Sequence, residues 1–153
     1  MKKRNGFTLV EILIVVVILG ILAAIVIPQF SDASEQANLS SLTSNLQTVR
    51  SQIQLYKIQH NGKLPGAGEA DFTAALTGVT NSAGATVAVG TSGAVGPYLQ
   101  AIPKNPYVSD NAINKVVTTG TTNPTAASTT AGWFFNTSTG QFLAVDSVEH
   151  LAY

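Results

Sequence analysis

Gly6-Phe7-Thr8-Leu9-Val10-Glu11 stands where a short basic leader gives way to the most apolar run in the chain. Two kinds of chemistry suit these residues at this spacing. Gly6 is a small residue at a polar–apolar boundary, and cleavage after it creates a new ammonium at Phe7. Glu11 is the only charge between Leu9 and Ile27. A carboxylate at the centre of a bilayer costs about 2.5–3.5 kcal/mol, so such residues are usually functional. The Phe7 ammonium of a neighbouring copy could neutralise Glu11 when subunits stack. Attraction in a low dielectric is strong, but desolvation offsets much of it, so the pair sets register more than it adds stability. The alternative is a Glu11 that snorkels to the interface without a partner.

The rest of the chain offers little chemistry. With no cysteine, it can form no disulfide, thiolate nucleophile or Cys-based metal site. There is no phosphate-binding Gly-x4-Gly-Lys-Ser/Thr loop and no paired-His metal motif. His60 and His150 are the only histidines, and a place at a helix C-terminus accounts for His60 through the helix dipole. Asp110, Asp146 and Glu149 are scattered acids that read first as solvated. No cofactor is expected, with calcium as the one ion these acids could hold. Asn38-Leu39-Ser40 and Asn136-Thr137-Ser138 match the glycosylation sequon, a pattern common by chance. Trp133 and the phenylalanines are core candidates first.

The elements that position Gly6, Phe7 and Glu11 follow from the apolar pattern. Phe7 to Ile27 spans 21 residues, which at helical rise covers about 30 Å, the thickness of a bilayer core. Lys2, Lys3 and Arg4 precede it, so the positive-inside rule puts the N-terminus in the cytoplasm and the head outside. Hydropathy alone fits a secretory signal cut after Leu22-Ala23-Ala24, or an uncleaved anchor, equally well. Glu11, the Gly6 boundary and the helical pattern beyond Pro28 argue against both.

Pro28 lacks an N–H and crowds the carbonyl of Ala24. The helix is therefore expected to kink there or to unwind between Gly20 and Pro28, both soft positions. From Leu42 the apolar residues Leu46, Val49, Ile53 and Tyr56 follow in steps of 4, 3, 4 and 3, one face of an amphipathic helix. That stripe is too short for a coiled coil. Gly62 suits the left-handed C-cap and Pro65 bars continuation. From Phe7 to His60 the rod would be about 80 Å long.

Charged residues make up 10% of the 153 residues, against roughly 25% in an average domain. Without the leader, five basic and eight acidic side chains remain. This balance argues against a nucleic-acid partner, which would need a basic face.

Gly-Phe-Thr-Leu-Val-Glu before an aliphatic run resembles the class III signal of type IV pilins and pseudopilins. The resemblance covers about residues 1–35. It implies that a prepilin peptidase cuts after Gly6 and N-methylates Phe7, that Glu11 is the family's assembly glutamate, and that Gly20 and Pro28 soften the helix. It also implies a homo-oligomeric helical filament, minor pilins or pseudopilins as companions, and an inner-membrane assembly platform. Leu99-x-x-x-Pro103-x-x-Pro106 is similar to the segment leading into the sheet of major pseudopilins of type II secretion. Asn105-Pro106-Tyr107-Val108 departs from that family's acidic-Pro-Trp-Gly motif. Only Asp146 and Glu149 lie where it has an acid-rich calcium loop, so the calcium site is not carried over.

The fold expected is α+β and pilin-like: a long N-terminal helix, half transmembrane and half amphipathic, packed against a small antiparallel sheet. Residues 1–6 are the leader, 7–28 the transmembrane and assembly half, 29–61 the amphipathic half and 62–153 the head. In the head, residues 69–76 form a short helix with acidic residues at its start. Residues 79–96 are a loop or weak strand pair. Residues 132–136 and 141–145 form a hairpin with Gly140 left-handed in the turn, and 113–118 add a third strand.

The function expected is structural. The first reading is the major pseudopilin of a type II secretion system, single-pass in the inner membrane with a periplasmic head and then a periplasmic filament. The second is a type IV pilin for adhesion, motility or DNA uptake. A signal-anchored enzyme or binding module and a conventionally secreted protein are the rivals from other classes. Mass spectrometry of the mature N-terminus separates them. N-methylated Phe7 is the expected result, Ile25 would mean ordinary secretion, and an intact Met1 a plain anchor.

Overall fold

The computed structural model describes residues 6–108, 112–120 and 122–153; Lys2, Lys3, Arg4 and Asp110 lie outside them. The chain divides into two compact units, Met1–Ala37 and Asn38–Tyr153. Helix α1, Leu9–Gln59, contributes to both.

In the first unit every large apolar side chain from Leu9 to Ile27 is at least half exposed. Water does not stabilise such a surface, and by length and composition α1 can cross a membrane. Gly20 and Pro28 lie within continuous helix, so of the two expected outcomes, a kink at Pro28 or a local unwinding, the single chain does not show the unwinding. Pro28 removes one backbone hydrogen bond, and the intact turns on either side carry the helix past it.

In the second unit α1 buries Leu42, Leu46, Val49, Ile53 and Tyr56, the stripe that the 4-3-4-3 spacing predicts. The helix ends in a left-handed reversal. The Gly62 N–H reaches back to the Lys57 carbonyl at 2.8 Å. The reversal begins one residue before the expected glycine, with Asn61 at φ 54° and Gly62 at φ 84°. Asparagine tolerates this conformation because its short polar side chain can bond locally.

The same helix end buries His60. Its ring stacks on Tyr56 with centroids 3.7 Å apart. Nδ1 lies 2.9 Å from the Tyr56 carbonyl, which can only accept, and Nε2 lies 2.9 Å from the Thr80 hydroxyl. The Tyr98 hydroxyl donates to Gln59 at 2.6 Å. Burial, and then the neighbouring Tyr56, push the Tyr98 phenol up to about 12.

Helix α2, Phe72–Thr77, starts one residue after Asp71, whose carboxylate accepts from the Ala74 N–H at 2.7 Å. Residues 79–96 are irregular, with isolated bridges from Thr80 to Thr86 and Val95. Three strands follow: β1 Val116–Thr119, β2 Trp133–Asn136 and β3 Phe142–Ala144, in the order β1-β2-β3. β2 and β3 form the expected antiparallel hairpin, with Gly140 at φ 78° in the turn. β1 pairs with β2 in parallel, so the sheet is mixed where a wholly antiparallel one was expected. The cause is the length of the connection. Thirteen residues separate Thr119 from Trp133, enough for the crossover that a parallel pair needs and a tight turn cannot supply.

Side chains alternate across β2, and both faces are covered. Trp133 and Phe135 join Phe142, Ala144, Phe72 and the α1 stripe in the main core. Phe134 points to the other side and packs with Ala131 and Val145 beneath Leu143 and Leu151. The Trp133 indole N–H donates to the Pro103 carbonyl at 2.8 Å, tying the proline-rich segment to the sheet.

Phe135 is fully buried, so Phe135→Ala should destabilise the folded head by about 3–5 kcal/mol. Val117 is 39% exposed, so Val117→Ala should change stability by no more than about 0.5 kcal/mol. Urea denaturation of the detergent-solubilised chain, followed by Trp133 fluorescence, measures both.

Candidate functional site

Gly6, Phe7 and Thr8 precede the first helical residue and carry no regular structure. Gly6 is exposed and Phe7 is 82% exposed, so the bond between them stands open. Helix α1 begins immediately after Thr8 for a local reason. The Thr8 hydroxyl accepts from the Glu11 N–H at 3.3 Å. In return, Glu11 Oε2 accepts from the Thr8 N–H and from the Thr8 hydroxyl, both at 2.8 Å. The Thr8 carbonyl then takes the first helical bond, from the Ile12 N–H at 3.4 Å. This is a reciprocal capping box, which satisfies backbone donors that a helix start otherwise leaves open.

The arrangement changes the reading of Glu11. In the single chain its carboxylate is not bare, because two hydrogen bonds from Thr8 satisfy part of it. Thr8 is a functional residue that the charge pattern alone does not reveal, although Thr-x-x-Glu at the head of an apolar run is the sequence mark of this cap. Of the residues singled out, the structure brings Phe7 and Glu11 to the same helix start and leaves Gly20 and Pro28 further along α1. The leader charges Lys2, Lys3 and Arg4 lie outside the described residues.

A second polar cluster sits in the head. Asp146 Oδ2 lies 2.5 Å from His150 Nδ1, and its Oδ1 accepts from the Asn105 amide at 2.7 Å. Asn105 is fully buried. It also donates to the Gly132 carbonyl at 2.8 Å and accepts from the Tyr107 N–H at 2.9 Å. The His150 ring packs against Tyr107, centroids 4.5 Å apart. This network ties the proline-rich segment, the start of β2 and the C-terminal turn together. Both oxygens of Asp146 are engaged within the protein. Among the described residues no three His, Asp or Glu side chains are grouped as a metal site. Asn105 stood out in the sequence only as a departure from a motif. An asparagine side chain accepting the N–H two residues on is a turn signal that the Asn-Pro-Tyr order carries.

The second sequon is closed in this fold. Asn136 is buried, its amide N–H2 donates to Asn123 at 2.9 Å, and its oxygen holds the Ser138 and Thr139 N–H groups in the hairpin turn.

Comparison with known proteins agrees with the helix start. The family described as the prokaryotic N-terminal methylation motif matches residues 1–27. Type II secretion system core protein G of Klebsiella pneumoniae is 31% identical over 110 residues, 72% of this chain and 74% of that protein. The core protein G of Pseudomonas aeruginosa is 39% identical over 59 residues, 39% of this chain and 42% of that protein. The type IV narrow pilus major component PilA5 of Thermus thermophilus is 42% identical over 60 residues, 39% of this chain and 52% of that protein. The chain thus spans about half or less of the length of these last two relatives. No solved structure matches the chain at a significant level.

The capping box has a direct test. Thr8→Val should speed hydrogen exchange at the Glu11 amide in detergent micelles, read by NMR, and Thr8→Ser should keep it at the parent rate.

Proposed function

This chain belongs to the pilin and pseudopilin family, and from that premise we propose that it is the major pseudopilin of a type II secretion system. It enters the inner membrane with its N-terminus in the cytoplasm and its head in the periplasm. Prepilin peptidase cuts between Gly6 and Phe7 and methylates the new Phe7 amine. An inner-membrane assembly platform then adds the chain to a short periplasmic filament, which minor pseudopilins begin and which pushes folded cargo outward. The head works as a building block and not as an enzyme.

The observation that carries this reading is the helix that begins just beyond the Gly6–Phe7 bond. It exposes apolar side chains on every face from Leu9 to Ile27, while the head completes its own core with the later stripe. Such a surface is stable in lipid or against copies of itself. Glu11 fits the step from one to the other. In the single chain Thr8 shields its carboxylate; in the filament the Phe7 ammonium of an adjoining copy takes over part of that role. The Gly20–Pro28 segment is the place where α1 would yield if assembly demanded it, since Pro28 already lacks one backbone bond.

A surface type IV pilin is the second reading, favoured by the likeness to PilA5. The core protein G reading goes first because the Klebsiella likeness extends over 110 residues and so continues past α1, whereas the PilA5 likeness covers 60.

Glu11→Ala should leave membrane insertion and Gly6 cleavage intact while filament yield falls sharply, measured by sheared-fibre recovery and immunogold microscopy. Unchanged filament yield would remove the register role. Deleting the chain should stop export of folded proteins across the outer membrane; loss of surface fibres with normal export would move the assignment to the pilin.

A further inference from the structure

An open groove of about 510 Å³ runs over the head between α1, the β2–β3 turn and the C-terminal turn. Its walls include Arg50, Gln54, Asn123, Gln141 and Tyr153. Arg50 is half-buried, and its Nε and Nη2 donate to the Phe142 carbonyl at 3.0 and 2.8 Å. A guanidinium has five N–H donors in a fixed fork. Two are used on Phe142, which leaves one on Nη2 and both on Nη1. The outer fork of Nη1 and Nη2 is therefore unspent. No acidic side chain among the described residues lies within ion-pair distance of it. Burial lowers the guanidinium pKa from its ordinary value, with no carboxylate opposing that effect. The rest of the wall combines the uncharged polar side chains of Gln54, Asn123, Thr139 and Gln141 with the apolar Phe142, Leu143 and Leu151 and with Tyr153. The Gln141 oxygen accepts from Asn123 and Thr139, which leaves its amide N–H2 as a donor.

A half-buried cation with a free planar fork, beside the neutral Gln141 donor, is matched by a carboxylate, which it can grip with two parallel hydrogen bonds. We propose that this groove is a carboxylate-binding site, served by the outer fork of Arg50 and occupied by an acidic side chain of an adjoining copy. The choice of occupant follows from affinity and supply. A single partly exposed ion pair is weak, so free carboxylates would leave the groove mostly empty. Copies held in one assembly reach millimolar effective concentration. The chain also has acids to offer. Eight acidic side chains face five basic ones once the leader is removed. Asp32, Glu69 and Glu149 are exposed and stand outside the ion pairs and hydrogen bonds described above. The site rests on the filament reading and adds a second, polar contact to the apolar one made by the exposed part of α1.

The absence of native cysteine makes the test clean. Gln54→Cys puts a thiol in the groove wall. Ala33→Cys, Ala67→Cys and Val148→Cys put one beside Asp32, Glu69 and Glu149 without removing the acid. In filaments assembled in cells from the full chain, one of the three pairs should cross-link between copies under mild oxidation, above the level of the Gln54→Cys single variant. Adding Arg50→Gln should cut that yield about tenfold. Arg50→Lys keeps a charge and a donor for Phe142 but loses the fork, and should fall between. Filaments that form normally with no cross-link from any pair would overturn the site alone. If the unaltered chain forms no filament, the functional reading falls and the site with it. In a separate arm, acetate titrated into the detergent-solubilised chain should not saturate the Arg50 Nε–H signal at millimolar concentration; saturation there would overturn the assignment to an adjoining copy.

Discussion

Apolar surface on α1 must find surroundings other than water, and the two parts of the helix do so differently. Beyond Asn38 the demand is narrow: one stripe, met by Trp133, Phe135, Phe142 and Phe72 within the same chain. Before Pro28 it is met by nothing in the chain, because the side chains are apolar all round and exposed. A helix that is hydrophobic on every face is stable only in lipid or among other helices. The head is therefore complete alone, while the N-terminal part is complete only in company. The capping box sits at the start of that incomplete part, and the proposed cleavage and assembly would act there too.

Glu11 gains its meaning from this division. A lone carboxylate in such a surface would be expensive. The bonds from Thr8 lower that cost in the single chain without removing the charge, so the group remains available to a stronger partner. In the filament reading proposed above, assembly at this point would be an exchange of partners rather than a new bond, which suits a role in register over one in stability. In the head, Asn105 does comparable work. One buried amide gathers the proline-rich segment, the Gly132 carbonyl and Asp146, and gives a cysteine-free domain a central tie.

Much of this was legible in the residues. The Leu42–Tyr56 stripe, the helix end near His60, the Phe134 and Phe142 hairpin and the Gly140 turn each follow from local spacing or local backbone chemistry. The direction of β1 did not, because strand direction depends on where a long connection leads, and nothing between Thr119 and Trp133 encodes that locally. The second cluster around Phe134 was hidden for a similar reason. Its partners Ala131 and Leu151 lie outside the strand pattern and meet it only through the fold. At the helix start, Gly6, Phe7 and Glu11 stand out by type and position, and the structure places Glu11 in the first turn of α1. Thr8 was legible in principle but is masked by an apolar context that draws attention to the charge alone. The Asp146–His150–Asn105 network joins positions up to 45 residues apart, and no single-sequence pattern marks it.

The parallel pairing of β1 with β2 has an evolutionary consequence. The strand register is held at its two ends, by the Lys115 carbonyl accepting from Gly132 and Trp133 and by the Thr119 carbonyl accepting from Thr137. The stretch between the strands is rich in Thr and Ser, and most of its described part is exposed. It can lengthen, shorten or change composition at little thermodynamic expense, because loop closure depends only weakly on length. Insertions, deletions and substitutions in that stretch therefore have an outlet that leaves the buried core of the head untouched.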